Sequence, residues 1–285
     1  RVLREVASEL LADDGRVGGD ELLERLGREL GVDTSRVIFS DEGRQGLYFV
    51  EYGAAPRASS VLYDRANSSM SLIRPEEVDW KKILSRARLF HVSGITPALS
   101  ASAAETTAAA MKAAKEAGCL VSYDLNYRKK LWSPADARKV QEPLMKLVDI
   151  ITTTEEDTGV VFGIREANYE KAAETLSRTF GFKAVAVTLR EDLSVWKNNW
   201  TAIAYADGKI YTDRTYTLEI VDRVGAGDSF TAGFIYGYLT GGPEKGVKYG
   251  NALSALKHSQ PGDFNWSTLE EVEAQIKGAG LRISR

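Results

Sequence analysis

The chain has 285 residues, a formal net charge of −3 and one cysteine, Cys119. This length suffices for one large α/β domain or two small ones. The weak negative charge gives no electrostatic basis for nucleic-acid binding. A lone cysteine excludes a disulfide framework within the chain. We expect a cytoplasmic protein, because no apolar stretch approaches the roughly 20 residues of a membrane span and the start lacks the apolar core of a signal peptide.

The first predicted elements are two helices and a β-hairpin. Residues 1–12 carry Val2, Val6 and Leu10 on one helical face, and a second helix is predicted from about residue 20 to residue 30, with Gly31 as its C-cap. Residues 46–64 contain two short β-rich runs around a Gly/Ala/Pro turn, which predicts a hairpin. A two-stranded ribbon is not stable alone, so it must pack on the rest of the chain or on a partner.

From residue 88 onwards, predicted strands and helices alternate. The predicted strands are residues 89–92, 120–123, 149–151 and 184–189, and the predicted helices are residues 101–117, 135–147 and 169–180. Residues 195–219 alternate polar and apolar side chains, as antiparallel strands do, and helices near 228–240, 244–257 and 268–277 complete the pattern. This order predicts an α/β fold with a mostly parallel central sheet and helices on both faces.

A glycine-rich stretch, residues 221–230, follows the last predicted strand; we call it the glycine turn. Gly225 and Gly227 permit turn conformations that a Cβ would penalise and allow a ligand to approach the backbone. The helix that follows presents free N–H groups, which suit an anion. Asp228 lies in its first turn, where it is either a helix cap or a base beside a phosphate-binding turn, as phosphoryl transfer to an alcohol requires.

Polar residues also follow three of the predicted strands, at the edge where ligands bind in such sheets. Ser93-Gly94-Ile95-Thr96-Pro97 follows the first strand, and Asp124-Leu-Asn-Tyr-Arg128 follows the second. The latter run is either an Asx-turn with a solvated arginine or a ligand site in which Arg128 holds a carboxylate or phosphate. Thr154-Glu-Glu-Asp157 follows the third strand. The acidic first turn of a helix is at least as good an interpretation of this run as a role in metal binding.

The hairpin carries an aromatic and basic cluster. Tyr63 and Arg65 are two residues apart and therefore face the same side of a strand, and Tyr48 on the neighbouring strand can join them. An exposed aromatic pair on an ordinary hairpin is an equally good interpretation. Two arginines, Arg65 and Arg128, favour a substrate that bears a carboxylate over a neutral sugar.

The run Asp222-x-x-Gly-Ala-Gly-Asp-Ser-Phe230 resembles the C-terminal signature of the ribokinase-like (PfkB) carbohydrate kinases. The resemblance extends from about Val17 to the C-terminus and is strongest to the 2-keto-3-deoxygluconate kinases within that family. It implies a single ribokinase-like domain over residues 1–285, with a small β lid at about residues 44–66 that also joins two copies into a homo-oligomer. It implies phosphorylation of the terminal hydroxyl of a sugar acid, 2-keto-3-deoxygluconate, with ATP and Mg²⁺. Open alternatives are another sugar or nucleoside, such as ribose or fructose, and a non-catalytic sugar- or nucleotide-binding relative.

The resemblance also implies the roles of individual residues. Asp228 would be the base, with Gly225, Ala226 and Gly227 holding the transferring phosphate. The residues that would bind the sugar acid are Tyr48, Tyr63, Arg65, Ile95, Arg128, Asp228 and Asp263. Those implied for the nucleotide are Thr154, Thr188, Gly225, Gly227 and Asn251. Asp157 would contact Mg²⁺ only through water, because Thr154 and Asp157 stand where the family has Asn and Glu.

One part of the family pattern has no counterpart in this sequence. Family members open with a buried strand and a Gly-Gly-x-x-x-Asn loop that contact the sugar, whereas Gly18-Gly19 here runs into Asp20-Glu21 and matches a later segment better. We therefore expect the N-terminal strand to be missing, in a truncated or rearranged member of the family, or its place to be filled by other residues.

Overall fold

A computed structural model describes residues 27–278 of the chain. The helix predicted at residues 1–12, most of the one predicted at residues 20–30, and the expectation about a missing N-terminal strand lie outside the described residues. Gly31 has a φ of 72°, the left-handed conformation expected of a C-cap.

Nine strands and eight α-helices are formed in the described residues. The strands are β1 (Leu47–Glu51), β2 (Ser60–Asp64), β3 (Leu89–Ser93), β4 (Leu120–Asp124), β5 (Ile150–Thr153), β6 (Ala184–Ser194), β7 (Lys197–Ala206), β8 (Lys209–Thr212) and β9 (Tyr216–Glu219). The helices are α1 (Ser69–Leu72), α2 (Trp80–Leu84), α3 (Ala101–Glu116), α4 (Pro134–Leu144), α5 (Glu155–Phe162), α6 (Tyr169–Phe180), α7 (Ala226–His258) and α8 (Leu269–Lys277).

The strands form two sheets. A seven-stranded sheet has the order β3-β4-β5-β6-β7-β8, with β9 also paired to β7. Strands β3 to β6 are parallel, and β7, β8 and β9 are antiparallel additions. The hairpin β1–β2 is a separate antiparallel sheet, which confirms the predicted hairpin. Its role as a lid stays a prediction, and we call it the lid hairpin. In the described part of the chain, β3 is an edge strand of the large sheet, at the end opposite β8.

The two faces of the large sheet carry different side chains. One face presents large residues such as Tyr123, Ile151 and Val185 to helices α3 to α6. The other presents alanines, among them Ala184, Ala186, Ala202 and Ala204, to Phe230 and Phe234 of α7. Small strand residues bring α7 close to the sheet, and α7 begins in the glycine turn. The predicted helices on both faces are therefore present.

Helix α7 consists of two helices joined at Gly242, where φ is 83°. Its two halves pack backbone to backbone, because a Cβ on Gly233 would lie 2.6 Å from the carbonyl oxygen of Tyr249, and one on Gly237 would lie 2.5 Å from that of Lys245. Phe230, Phe234 and Tyr238 stack at 6.0 Å spacings in the first half, within the helix predicted near residues 228–240. This glycine seam fixes the half of α7 that carries Asp228.

Several predicted boundaries were wrong. Strand β6 extends to Ser194 rather than ending at residue 189, because its polar half pairs with β7 beyond the core. Helix α4 ends at Leu144, and residues Met145–Leu147 form a 3₁₀ turn instead of a continuation. Strand β5 begins at Ile150 and runs to Thr153, since Asp149 instead accepts from Lys115 and Lys183 as an ion pair.

Candidate active site

The glycine turn places an exposed carboxylate at the start of α7. Gly225 has a φ of 79°, and a Cβ there would lie 2.3 Å from the carbonyl oxygen of Asp263. Only glycine therefore permits this turn and this approach. Asp228 follows in the first turn of α7 and is exposed to solvent, as is Gly227. A ligand can thus reach both the carboxylate and the backbone of the turn.

The N-terminus of α7 offers free hydrogen-bond donors beside this carboxylate. The N–H of Ala226 donates to the carbonyl of Arg223 at 3.3 Å, and that of Ser229 donates to the carbonyl of Gly225 at 2.9 Å. The N–H groups of Gly227 and Asp228 have no acceptor within the helix, as for any first turn. Together with the positive end of the helix dipole they can bind an anionic oxygen.

Asp124 lies near Asp228 at the carboxyl end of β4. Val121 and Tyr123 face the core beneath α3 to α6, so Ser122 and Asp124 face the α7 side of the sheet. Burial, reinforced by the charge of Asp228, raises the pKa of Asp124 to about 8. Both effects favour the protonated form of Asp124, which can donate a hydrogen bond. Sequence analysis placed Asp124 in a polar cluster but assigned it no role. Its raised pKa depends on burial, which is a property of the tertiary structure.

Close packing fixes the loop that carries Asp124 and Arg128. The N–H of Gly94 donates to the carbonyl of Asp124 at 2.7 Å, and a Cβ on Gly94 would lie 2.2 Å from the carbonyl oxygen of Leu125. Asn126 adopts a φ of 40° and donates to Ser93 at 3.1 Å. Ile95, a predicted substrate residue, is half-buried directly after Gly94. The ends of β3 and β4 are thus held together as one rigid rim.

Arg128 lies among acidic groups. It donates to the carbonyl of Tyr127 at 3.1 Å, and its charge lowers the pKa values of both Asp124 and Asp157. Burial is the larger effect on Asp157 and raises its pKa above the usual range. Thr154 caps α5, because its hydroxyl accepts from the N–H of Asp157 at 3.0 Å. The structure thus contains the acidic first turn of a helix here, and a contact of Asp157 with Mg²⁺ through water stays a prediction.

The lid hairpin brings its three predicted residues together. The rings of Tyr48 and Tyr63 lie 6.2 Å apart, and the guanidinium carbon of Arg65 lies 4.3 Å from the centre of the Tyr63 ring. The hydroxyl of Tyr48 donates to the carboxylate of Asp263 at 3.3 Å. Because the backbone of Asp263 also packs on Gly225, one short loop connects the lid cluster to the glycine turn.

Asp222 is a further organising residue that sequence reasoning missed. Its side chain is almost fully buried and accepts from the N–H of Val224 at 2.9 Å, the N–H of Gly262 at 3.0 Å and the hydroxyl of Tyr52 at 2.6 Å. The only sequence signal was its place at the start of the motif. The neighbouring Arg223 donates to the carbonyl of Val195 at 2.7 Å.

The predicted nucleotide residues occupy different environments. Thr188 on β6 is half-buried one position beyond the level of Thr153, at the carboxyl edge of the parallel strands. Asn251 is fully buried in α7, where its amide donates to Asp213 at 2.9 Å and to the carbonyl of Arg214 at 2.8 Å. In this arrangement its amide nitrogen supports the backbone before β9, and a direct contact with the nucleotide stays a prediction.

The two histidines of the chain, His91 and His258, make contacts within the fold. His91 on β3 contacts the hydroxyl of Ser122 at 3.1 Å, and burial lowers its pKa to about 4 although the nearby Asp228 opposes that shift. His258 packs its ring 5.3 Å from that of Trp200 and contacts the carbonyl of Ser254 at 2.8 Å. Across residues 27–278, no set of three or more His, Cys, Asp or Glu side chains is grouped to hold a metal ion. Within the same range, no helix is long and apolar enough to cross a membrane.

Known proteins share this arrangement over most of the chain. The sequence profile of the pfkB family carbohydrate kinases matches residues 15–269. A 2-dehydro-3-deoxygalactonokinase of Haloferax volcanii is 38% identical over 250 residues, covering 87% of this chain and 76% of that protein. A 5-dehydro-2-deoxygluconokinase of Bacillus subtilis is 28% identical over 92% of this chain and 80% of its own length. The crystal structure of a 2-dehydro-3-deoxygluconokinase from Thermotoga maritima superimposes with a TM-score of 0.85 at 43% identity, covering 88% of this chain and 78% of that one.

Proposed function

The chain belongs to the pfkB family of carbohydrate kinases, and we propose that it transfers the γ-phosphoryl group of ATP to the terminal hydroxyl of a sugar acid, 2-keto-3-deoxygluconate or its galactonate epimer. The observation that carries this proposal is the position of Asp228. It is exposed in the first turn of α7, beside free N–H groups and near the rim formed by β3 and β4. Similar proteins named as kinases of 2-dehydro-3-deoxy sugar acids support the substrate class.

The charges around the site favour an acidic sugar. Arg128 on the rim and Arg65 on the lid supply two guanidinium groups, which can bind a carboxylate through paired hydrogen bonds. Tyr48 and Tyr63 add flat apolar surface and hydroxyl groups for the sugar chain, and Ile95 closes the rim. Asp263 would accept from a sugar hydroxyl beside the lid residue Tyr48, whose hydroxyl donates to its carboxylate at 3.3 Å.

Proton transfer would fall to Asp228. Its carboxylate accepts the proton of the terminal hydroxyl as the oxygen attacks the γ-phosphorus, and the P–O bond to ADP breaks. The N–H groups of Gly227 and Asp228 donate to oxygens of the transferring group, where charge is present throughout the reaction. Asp124 would remain protonated beside Asp228, since its pKa is raised to about 8, so it adds no second negative charge beside the phosphate at neutral pH.

The nucleotide and Mg²⁺ would bind on the α7 side of the sheet edge. Thr188, Thr154 and the backbone of Gly225 and Gly227 would contact the nucleotide. Asn251 is fully buried and would act through the Asp213–Arg214 segment to which its amide donates. Mg²⁺ neutralises phosphate charge when bound, and it keeps most of its waters in such sites. Asp157, at the rim, would contact the ion through one of those waters, whereas its charge is balanced by Arg128 when the ion is absent.

Replacing Arg65 with alanine tests the substrate class. We expect the KM for 2-keto-3-deoxygluconate to rise about 10- to 100-fold, which is the effect of losing one charge-assisted hydrogen bond. The kcat should change little, because Arg65 would bind the carboxylate of the substrate and not its reacting hydroxyl. A coupled assay of ADP release, run over a panel that includes ribose and fructose, measures both constants for acidic and neutral sugars.

Arg57→Ala is the matched control, since Arg57 lies on the turn of the same hairpin and pairs with Glu51 at 2.6 Å on the surface. It should leave both constants unchanged. A wild-type enzyme that turns over a neutral sugar faster than any sugar acid, or an Arg65→Ala variant with an unchanged KM, would contradict the acidic substrate.

We also propose that the outer face of the lid joins two copies of the chain. Phe49 and Leu62 lie opposite each other on β1 and β2 and are 56% and 65% exposed, while Tyr48 and Tyr63 occupy the inner face. A two-stranded sheet with apolar residues on both faces is marginal unless both are covered. A second copy can cover this patch around a two-fold axis.

Sedimentation analysis should give a dimer for the wild type and a monomer for Leu62→Glu. The control Ile210→Glu, on β8, should remain dimeric. A monomeric wild type would rule the contact out.

A further inference from the structure

Three separate parts of the chain meet at one buried carboxylate. Tyr52 directly follows the first lid strand, Asp222 belongs to the glycine turn, and Gly262 precedes the loop residue Asp263. The oxygens of Asp222 accept from Tyr52 at 2.6 Å and from Gly262 at 3.0 Å, as well as from Val224 at 2.9 Å. The hydrogen bond from Tyr52 joins residues 170 positions apart in the sequence.

The tip of the β6–β7 hairpin supports the same junction. The ring of Trp196 lies 6.1 Å from that of Tyr52, and its carbonyl accepts from the N–H of Ile220 at 2.8 Å. Arg223 adds a hydrogen bond to the carbonyl of Val195 at 2.7 Å. The residues on either side of Asp222 are therefore hydrogen-bonded to the backbone of the β6–β7 hairpin. The lid, in contrast, reaches Asp222 through the side chain of Tyr52.

The three donors to Asp222 come from different parts of the structure. The N–H groups of Val224 and Gly262 come from segments adjacent to Gly225 and Asp263, which pack on each other. The Tyr52 hydroxyl comes from the lid, and Tyr52 is 45% exposed whereas Asp222 is 2% exposed. If the lid moves away, the buried carboxylate loses one donor and keeps only those of the turn and the loop. An unmatched buried charge is costly, so the position of the lid affects the turn.

We propose that Tyr52 is a positioning residue that couples closure of the lid to the shape of the glycine turn through Asp222. This inference rests on the proposed function, in which the lid carries Arg65 and Tyr63 to the substrate and the turn carries Asp228. When the lid is seated, Tyr52 completes the hydrogen bonding of Asp222 and holds the N–H groups of the turn in place. Binding of the sugar acid and readiness for phosphoryl transfer are thereby linked.

The test removes only the hydroxyl, in Tyr52→Phe. We expect hydrogen exchange at the Val224 and Gly262 N–H groups, followed by NMR, to be at least about tenfold faster, because a hydrogen bond to a charged group is lost. For the kinase reaction we expect kcat to fall about tenfold and the KM for the sugar acid to rise. In an Asp222→Asn background, the further effect of Tyr52→Phe on kcat should disappear.

Tyr249→Phe is the control, because it removes a similar hydroxyl-to-carboxylate bond of 3.0 Å, to Glu273, between α7 and α8. It should change neither the exchange rates nor kcat. Unchanged exchange at both N–H groups in Tyr52→Phe would overturn the coupling, even if Asp222→Asn fails to fold. Absence of turnover with every sugar acid would instead contradict the proposed function, while the exchange rates would still decide the role of Tyr52.

Discussion

Asp228→Asn is expected to lower kcat about 10³-fold, the usual contribution of a positioned general base. Asparagine has nearly the same size and keeps the first turn of α7 polar, but its amide cannot accept the proton of the attacking hydroxyl. Binding of ATP should be little changed, because the N–H groups of the turn remain. Coupled ADP release with the sugar acid measures kcat, and calorimetry measures nucleotide affinity.

A matched control is Asp136→Asn, an acid in the first turn of α4 that accepts from Ser133 at 2.6 Å. It changes the charge at an equivalent helix position on the other face of the sheet and should leave kcat unchanged. Equal melting temperatures for the two variants would exclude unfolding as the cause of lost activity. If Asp228→Asn retained turnover within a few-fold of the wild type, Asp228 could not be the base.

Gly225→Ala is expected to abolish turnover and to lower the free energy of unfolding by about 3 kcal/mol, combining the cost of a left-handed φ with that of overpacking. The new Cβ would lie 2.3 Å from the carbonyl oxygen of Asp263, and a backbone atom cannot rotate away. The loop of Gly262 and Asp263 must move, which separates both from their partners Asp222 and Tyr48. Urea denaturation measures the loss of stability.

Gly227→Ala is the internal control, two residues further along. A Cβ at Gly227 would meet no atom within 4 Å, and its φ is not in the left-handed region. We expect this variant to be as stable as the wild type or more stable by up to about 1 kcal/mol, since alanine favours a helix over glycine. Similar unfolding curves for the two alanine variants would show that the approach of Asp263 does not require glycine.

The fold could be predicted from sequence wherever an element carries its own pattern. The β-branched strand around Ile151 and the aromatic stripe from Phe230 to Tyr238 were assigned correctly because burial imposes a period on each. The outer half of β6 was missed, since Arg190 and Asp192 carry no apolar alternation and are strand residues only because β7 pairs with them. Helix α5 was only one of two interpretations of its sequence, because eight residues are too few to show the helical period clearly.

The candidate site shows the same division. Arg128 and Asp228 could be selected from the sequence because residues that follow parallel strands lie at one edge of the sheet. The structure brings both of them close to Asp124 there, while their roles in binding and catalysis stay predictions. The roles of Asp124 and Asp222 could not be found in this way. The pKa of about 8 for Asp124 depends on burial and on the charge of Asp228, and the partner of Asp222 is a tyrosine on the lid. Both properties arise from contacts distant in sequence.

The glycine seam of α7 limits how this enzyme can be improved in the laboratory. Changing helical glycines to alanine is a common way to stabilise proteins, yet Gly233, Gly237 and Gly250 would each place a Cβ within 3.0 Å of the opposite half of the helix pair. Any adjustment there would shift the segment that presents Asp228. A directed-evolution library for heat tolerance should therefore exclude the seam and sample remote surface positions, where gains in stability are independent of catalysis.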